Sequence, residues 1–256
     1  MLASLLMLVG ILAVPAESRA VDLEKIDEMV VGYGLKNLPD NPDLALQIAA
    51  GGTEIDIDRR IDPAFDADRD TVEYLNSIEA RLVAASAQQP PYPIHVHTSR
   101  WPIANAESLP GGQIVFFERL FENLNDESQL AGVLAHETGH QLDNDFLKFW
   151  HAYKTDQPLY GKDGVLQESE KWEAAADETG IQLMYAAGWD PQGRLSYQVS
   201  AYKQGVMERR GEPEFWSSHP RERERVQAIK ASIAQLPPKD GLIKDTPEFQ
   251  KIKEKY

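Results

Sequence analysis

Cysteine is absent from the 256 residues of this chain. Its absence excludes disulfides, thiolate zinc ligands and a cysteine nucleophile. Basic residues are few, since 26 Lys and Arg face 41 Asp and Glu, and the formal net charge is -15. A chain of this charge repels phosphate backbones, so we expect no nucleic-acid partner. Long apolar runs are missing beyond the N terminus, so we expect no later stretch to cross a membrane.

The N terminus carries the one extended apolar run, from Leu2 to Ala16. Its length suits the core of a signal peptide and falls short of the roughly 20 apolar residues that a bilayer-spanning helix needs. No Lys or Arg precedes the run, so three outcomes stay open: cleavage after Ala16 or Ala20, retention as an anchor, or burial in a core helix. We expect residues 1–20 to be a signal peptide and the protein to be exported, with a periplasmic location. A membrane anchor through residues 2–16 is the alternative, and membrane contact is expected only in that case.

The hydrophobic pattern predicts an α+β chain that is mainly helical. Apolar residues at helical spacing predict a helix over residues 69–87. Alternation over residues 94–99 predicts a strand, and "QIVFF" predicts a second strand after the turn "LPGG". Further helices are predicted at residues 22–31, 126–150, 166–188, 195–210 and 219–236, and helix is expected to resume after the turn signals that end at Pro39.

The remaining segments complete the expected domain organisation. The polar stretch over residues 51–70 is typical of a surface connection. No linker is evident after the N-terminal run, so we predict a single domain over residues 21–235. The charged residues 236–256 are expected to form a C-terminal surface tail.

Two histidines four residues apart, with a glutamate after the first, form the H-E-x-x-H pattern in "HETGH". On a helix His136 and His140 share one face, where both imidazoles can bind a single metal ion. Glu137 then lies close enough to take a proton from a water on that metal. The alternative is a capped helix with two surface histidines. It fits poorly, because the small apolar residues before the motif indicate a buried helix in which the imidazoles would need partners.

A catalytic zinc takes three protein ligands and keeps one position for water. Glu173 in "KWEAAADETG" is the best candidate for the third ligand, with a solvated acidic face as the alternative. Asp177 lies on the same helical face and can accept the spare ring proton of a ligating histidine. Asp143 and Asp145 are weaker candidates, because they follow the second histidine too closely. Three histidines are expected in ordinary strand or surface positions: His95, His97 and His151.

Several segments in the same order resemble peptidase family M48, the HtpX-like and CAAX prenyl endopeptidase-type gluzincins, and most of all its soluble periplasmic members. The similarity lies in "VLAHETGH" followed by "EAAAD", together with "NAESLPGGQIVFF", "GIQLMYAAGWDP" and "SSHPRERERV". Two departures stand out: Glu107 replaces the family's usual Phe, and "QLDNDF" replaces its commoner continuation after the second histidine. The chemistry that the resemblance implies is intact, whereas the substrate is left open.

The resemblance implies a zincin-like metallopeptidase domain with a small β-sheet beside the zinc-binding helix. One Zn²⁺ per chain would be held by His136, His140 and Glu173. Asn105 is expected to help position an extended peptide, which would pair with an edge of the second strand.

The late His-Pro motif of the family corresponds here to His219, Pro220 and Arg225. Pro220 fits a first helical turn, so His219 is expected at the start of a helix. Its role is open among a helix cap, a hydrogen-bond donor to the reaction's oxyanion, and a fourth zinc ligand that blocks the enzyme at rest. Arg225 would anchor this loop or share in stabilising charge.

Together these features predict a zinc-dependent metalloendopeptidase with Glu137 as its general base. Its expected partners are protein or peptide substrates, including misfolded envelope proteins, and its expected role is envelope protein quality control. An envelope chaperone or assembly factor with a structural zinc site is the main alternative. A lysis or cell-wall amidase is a third, although nothing in the sequence resembles a glycan-binding module.

Overall fold

The computed structural model of this chain describes residues 40–154, 164–208 and 222–256. The predicted signal peptide, the predicted helix over residues 22–31 and His219 lie outside the described residues. Within the described ranges the α-helices are α1 (Pro42–Ile61), α2 (Arg69–Ala85), α3 (Glu127–Leu142), α4 (Asp145–Lys154), α5 (Gly164–Ala187), α6 (Gln192–Glu208), α7 (Glu222–Ala234) and α8 (Pro247–Lys253). The strands are β1 (His95–Ser99), β2 (Ala106–Leu109) and β3 (Gln113–Phe117), and a 3₁₀ helix covers Glu118–Asn123. The predicted fold class, mainly helical with a small sheet, is confirmed.

Helix α1 is longer than the sequence suggested. Its first half was expected, but residues 51–61 were predicted as part of a surface connection and are helical instead. Ile55 is buried against the sheet, and the backbone of Gly51 packs on Pro110, where a Cβ atom would lie 1.9 Å from the carbonyl oxygen. Tertiary packing therefore stabilises a segment whose local pattern is too polar to predict a helix.

The three strands form one sheet in the order β1-β3-β2. β1 pairs with β3 in parallel, and β2 pairs with β3 antiparallel. The central position of β3 contradicts the prediction that this second predicted strand offers an edge to a peptide. The segment between the predicted strands forms a strand of its own, so β2 lies at the edge that β3 was expected to provide.

A tight turn joins β2 to β3 and requires glycine. Gly111 and Gly112 have φ of 69° and 83°, a region that other residues rarely adopt. A Cβ atom on Gly112 would also lie 2.1 Å from the carbonyl oxygen of Pro93. The "PGG" sequence thus fixes the pairing of the two strands beside the helix that carries both motif histidines.

Helix α3 is the central element of the core, and all sixteen of its residues are buried. Asp126 caps its N terminus, where the side chain accepts a hydrogen bond from the backbone N–H of Gln129 at 3.1 Å. A Cβ atom on Gly139 would lie 2.8 Å from the Ala176 carbonyl oxygen of α5, and one on Gly180 would lie 3.1 Å from Ala135. Small residues thus bring the backbones of α3 and α5 close enough for their side chains to share one site.

The single helix predicted over residues 126–150 is two helices. α3 ends at Leu142, and Asn144 adopts a left-handed backbone conformation with φ of 54° before α4 begins at Asp145. Asn is among the few residues other than Gly that tolerate this region. The break redirects the chain immediately after the second motif histidine.

The C-terminal segment is not the surface tail that its charge suggested. Phe249 and Ile252 of α8 are buried in the main core, where the Phe249 ring lies 6.5 Å from that of Phe121. Two apolar residues spaced three apart thus dock a short and otherwise charged helix. Among the described helices none combines the length and apolar character needed to cross a membrane.

Candidate metal centre

Three side chains from α3 and α5 converge near the middle of the molecule. Metal-binding atoms of His136, His140 and Glu173 all lie within 4.8 Å of one another. Nε2 of His136 is 3.3 Å from Oε2 of Glu173, and Nε2 of His140 is 3.7 Å from Oε1. The structure therefore brings together the two histidines of the motif and the carboxylate predicted as third ligand.

These groups fit a zinc ion. Two imidazoles and one carboxylate form a common ligand set of catalytic zinc. Oε2 of Glu137 is buried and makes no hydrogen bond in the described part of the chain. Oε2 of Glu173 also makes no aligned hydrogen bond, although the Arg225 guanidinium lies 2.8 Å away. A buried carboxylate oxygen normally has a partner, so the oxygen of Glu137 beside two imidazoles favours a site for a metal-bound water. In the described ranges no second group of three His, Asp or Glu side chains meets the same spacing.

Asp177 lies one turn after Glu173 on α5, behind the ring of His136. Its Oδ1 atom is 3.0 Å from Nδ1 of His136, although the N–H is not aligned for a hydrogen bond. Two guanidinium groups hold this carboxylate. Arg194 Nη2 lies 2.6 Å from Oδ1, and Arg225 Nε lies 2.9 Å from Oδ2. Burial alone would raise the pKa of Asp177, but the charges of Arg194 and Arg225 keep that pKa well below its usual range.

Arg225 also contacts the candidate ligand itself. Its Nη1 atom lies 2.8 Å from Oε2 of Glu173. Burial opposes ionisation of Glu173, yet His136 and Arg225 hold the pKa of this carboxyl well below its usual range. The carboxylate is therefore ionised near neutral pH, which is the form that binds a cation.

His140 has a different support. Its Nδ1 atom is 2.7 Å from Oδ2 of Asp145, a fully buried carboxylate, and Oδ1 of Asp145 is 2.9 Å from Nζ of Lys148. Asp143 instead lies 3.5 Å from the hydroxyl of Thr179. The weaker candidates for the third ligand are thus both outside the group that can hold a metal.

Gln141, next to His140, connects α3 to the sheet. Its Nε2 donates to Ser108 Oγ at 2.7 Å and to the carbonyl of Leu109. Its Oε1 accepts from the backbone N–H of Gly112 at 3.2 Å and from the hydroxyl of Tyr92 at 3.1 Å. One buried amide thus fixes the β2–β3 turn relative to the motif, a role that no sequence signal had indicated.

A buried carboxyl group lies on the other side of α3. Both oxygens of Glu79 in α2 are within 3.0 Å of the hydroxyl of Thr138, which directly follows Glu137. Burial raises the pKa of Glu79 to about 8, with the Thr138 hydrogen bond opposing the rise and the charge of Glu137 adding to it. Sequence analysis did not single out Glu79.

Asn105 and His97 are not part of the group that can hold a metal. Asn105 precedes the edge strand β2, and its Nδ2 lies 3.4 Å from Oε1 of Glu107. His97 lies between Asp66 and Gln113, at 2.8 and 2.9 Å, as an ordinary partner of polar groups.

Arg194 was not predicted, because one arginine on a helical face carries no sign of its tertiary partner.

The sequence of the chain is similar to those of known proteins. The sequence profile of peptidase family M48 matches residues 70–161 and 160–233 of the chain. The β-barrel assembly-enhancing protease of Escherichia coli (strain K12) is 25% identical over a 194-residue alignment that covers 65% of this chain and 39% of that protein. The mitochondrial metalloendopeptidase OMA1 of Schizosaccharomyces pombe is 28% identical over 179 residues, 62% of this chain and 52% of that protein.

The OMA1 metalloendopeptidase of Arabidopsis thaliana is 30% identical over 109 residues, 35% of this chain and 22% of that protein. The chain therefore spans less than two thirds of the length of each of these relatives. The profile match covers more than half of the chain and includes both motif histidines and Glu173. The chain belongs to peptidase family M48, a family of zinc-dependent metalloproteases.

Proposed function

We propose that this chain is a zinc-dependent metalloendopeptidase that binds one Zn²⁺ through His136, His140 and Glu173 and uses Glu137 as its general base. The observation that carries the proposal is the convergence of these ligands beside a buried Glu137 oxygen that has no hydrogen-bond partner. A purely structural zinc site has no need of such a carboxylate. The family membership of the chain supports the same activity.

The residues of the chain divide the chemistry among them. Zinc bound there supplies the Lewis acidity that activates a water molecule and polarises the scissile carbonyl. Glu137 accepts the proton of the attacking water at its carboxylate and then passes that proton to the leaving amine. Asp177, 3.0 Å from Nδ1 of His136, stabilises that ring by its charge, with Arg194 and Arg225 keeping the carboxylate ionised.

Two further residues belong to the proposal. Asn105 positions the peptide substrate, in keeping with its place at the start of the edge strand β2. Extended peptides commonly bind by adding a strand to such an edge. His219, close to α7 in sequence, acts at the zinc as an oxyanion donor or as a blocking ligand. His219→Ala distinguishes these roles, because hydrolysis falls in the first case and rises in the second.

The biological setting is part of the same proposal. The relatives from Escherichia coli are named for enhancing β-barrel assembly. We assign this chain to envelope protein quality control in the periplasm, with misfolded or incompletely assembled envelope proteins as substrates. Export through the apolar N-terminal run is the route that this location requires, with the run either cleaved or retained as an anchor.

Glu137→Gln tests the proposed activity most simply. The substitution keeps the shape of the side chain and removes its ability to accept a proton, so hydrolysis of unfolded casein should fall by about 10²- to 10⁴-fold. Zinc content should stay at one per chain. Glu178→Gln is the matched control, because this exposed glutamate lies on α5 and should leave the rate unchanged. A Glu137 variant that hydrolyses casein at the full rate would contradict the role of Glu137 as general base, whereas a wild type that hydrolyses no casein would favour the chaperone alternative.

A further inference from the structure

The contact between His140 and Asp145 has no place in the proposed chemistry so far. Asp145 is fully buried, and its Oδ2 lies 2.7 Å from Nδ1 of His140. The imidazole N–H at Nδ1 donates to this carboxylate, because an ionised carboxylate can only accept. Nε2 of the same ring is left to face Glu173, 3.7 Å away. The two nitrogens of His140 thus have two separate partners.

This arrangement also prevents Asp145 from binding the metal directly. The two nitrogens lie on different sides of an imidazole ring, and Asp145 occupies the Nδ1 side. A metal bound at Nε2 beside Glu173 is therefore out of reach of Asp145. The carboxylate acts on the metal only through the ring of His140.

We propose that Asp145 is a positioning residue for the metal site, which fixes His140 in the tautomer and orientation that present Nε2 to zinc. A carboxylate that accepts from the second nitrogen of a ligating histidine fixes the ring and makes it a better ligand. This inference rests on the proposed zinc site but not on the proposed hydrolysis.

The local backbone explains how Asp145 reaches the ring. A continuous helix would place a side chain five residues after His140 on a different face. The left-handed conformation of Asn144, with φ of 54°, ends α3 and starts α4, so that Asp145 lies beside His140. Lys148 on the first turn of α4 then supplies a cation 2.9 Å from the carboxylate. The break in the helix is thus the feature that builds the contact.

Zinc affinity of the purified chain tests the inference without any use of activity. Asp145→Ala should weaken zinc binding by about 10- to 100-fold in a chelator competition assay, a typical cost of losing such a partner. Asp145→Asn should bind zinc with intermediate affinity, because its amide oxygen still accepts from Nδ1–H. Asp143→Asn is the matched control, since it removes a carboxylate from the same turn that does not touch His140.

Two further readouts separate positioning from simple packing. Two-bond ¹H–¹⁵N spectra of the zinc-loaded wild type should show His140 protonated at Nδ1, and this signature should be lost in Asp145→Ala. Thermal unfolding of the metal-free variants measures the structural cost separately. If Asp145→Ala does not fold, Asp145→Asn provides the same affinity comparison.

Zinc affinities of both Asp145 variants within twofold of wild type would overturn the positioning role and leave the proposed hydrolysis standing. Zinc binding that responds as predicted, in a wild type that hydrolyses no peptide, would overturn the hydrolysis and leave the positioning role standing. A wild type that binds no zinc would overturn both.

Discussion

The two histidines of the metal centre are supported in contrasting ways. His136 lies beside Asp177, which is held by buried guanidiniums from two other helices, α6 and α7. His140 lies beside Asp145, five residues away, whose cationic partner Lys148 is about half exposed. The support of His136 comes from distant parts of the chain and is closed to solvent, whereas the support of His140 is local and partly exposed. We therefore expect the stability of the fold to depend strongly on Asp177, and the affinity for the metal to depend on both Asp177 and Asp145.

The largest difference in unfolding free energy should appear between the variants that lack the carboxylate of Asp177 and that of Asp145. Asp177→Ala removes the carboxylate that binds the buried guanidinium of Arg194 and leaves Arg225 with Glu173 alone, which should cost about 3–5 kcal/mol of unfolding free energy. Asp145→Ala should cost less, about 1–3 kcal/mol, because Lys148 can reach water and only one imidazole N–H loses its acceptor. Urea denaturation of both metal-free variants measures the two costs. An equal or larger cost at Asp145 would refute the contrast.

Metal affinity provides the second comparison. Asp177→Asn keeps the volume of the side chain but removes its charge, so zinc binding should weaken by about 10- to 100-fold without being abolished. Competition with a chelator measures this change beside that of Asp145→Asn. Unchanged affinity in the Asp177 variant would show that the carboxylate serves only the two arginines.

The close approach of α3 and α5 on the Asp177 side can be tested by a single methyl group. Gly139→Ala should cost about 1–3 kcal/mol, because its Cβ would lie 2.8 Å from the Ala176 carbonyl oxygen. Gly52→Ala is the control, since a Cβ at that position of α1 meets no atom within 4 Å. The control should be neutral or stabilising, by up to about 1 kcal/mol. If Gly52→Ala is also destabilised, the close packing of α3 on α5 does not explain the stability loss of Gly139→Ala.

The last predicted effect lies on the α2 side of α3 and depends on pH. The pKa of Glu79 is raised from 4.5 to about 8, so its contribution to stability is complete below pH 4.5 and is lost as pH rises to about 8. Over that range the group lowers the unfolding free energy by at most about 1.4 kcal/mol per pH unit. Glu79→Gln removes this dependence, so its stability relative to metal-free wild type should rise from pH 5 to pH 8. A constant difference between the two proteins would contradict the raised pKa.

Sequence reasoning reached the parts of the site that depend on spacing along one helix. His136 and His140 share a face of α3, and Glu173 and Asp177 share a face of α5, so the pattern alone brings each pair together. Three alanines at 174–176 and Gly180 in the sequence of α5 also favour its close approach to α3. Arg194 was missed, because its partner is set by how α6 packs and not by any pattern in its own helix.

The errors in the fold have a common physical origin. Residues 51–61 and α8 are polar or charged segments with few apolar contacts, and each is ordered by one or two buried side chains that a window average hides. The break at Asn144 depends on a single left-handed residue, which an apolar pattern running through it does not reveal. The break also builds the contact between Asp145 and His140, so the same omission left Asp145 as a weak candidate ligand.

Zinc titration of the metal-free chain, with casein hydrolysis measured at each addition, tests the central claim most directly. The account predicts that hydrolysis rises in proportion to added zinc and reaches its maximum at one zinc per chain, with no such rise in Glu137→Gln. Full hydrolysis by the metal-free wild type would contradict the account.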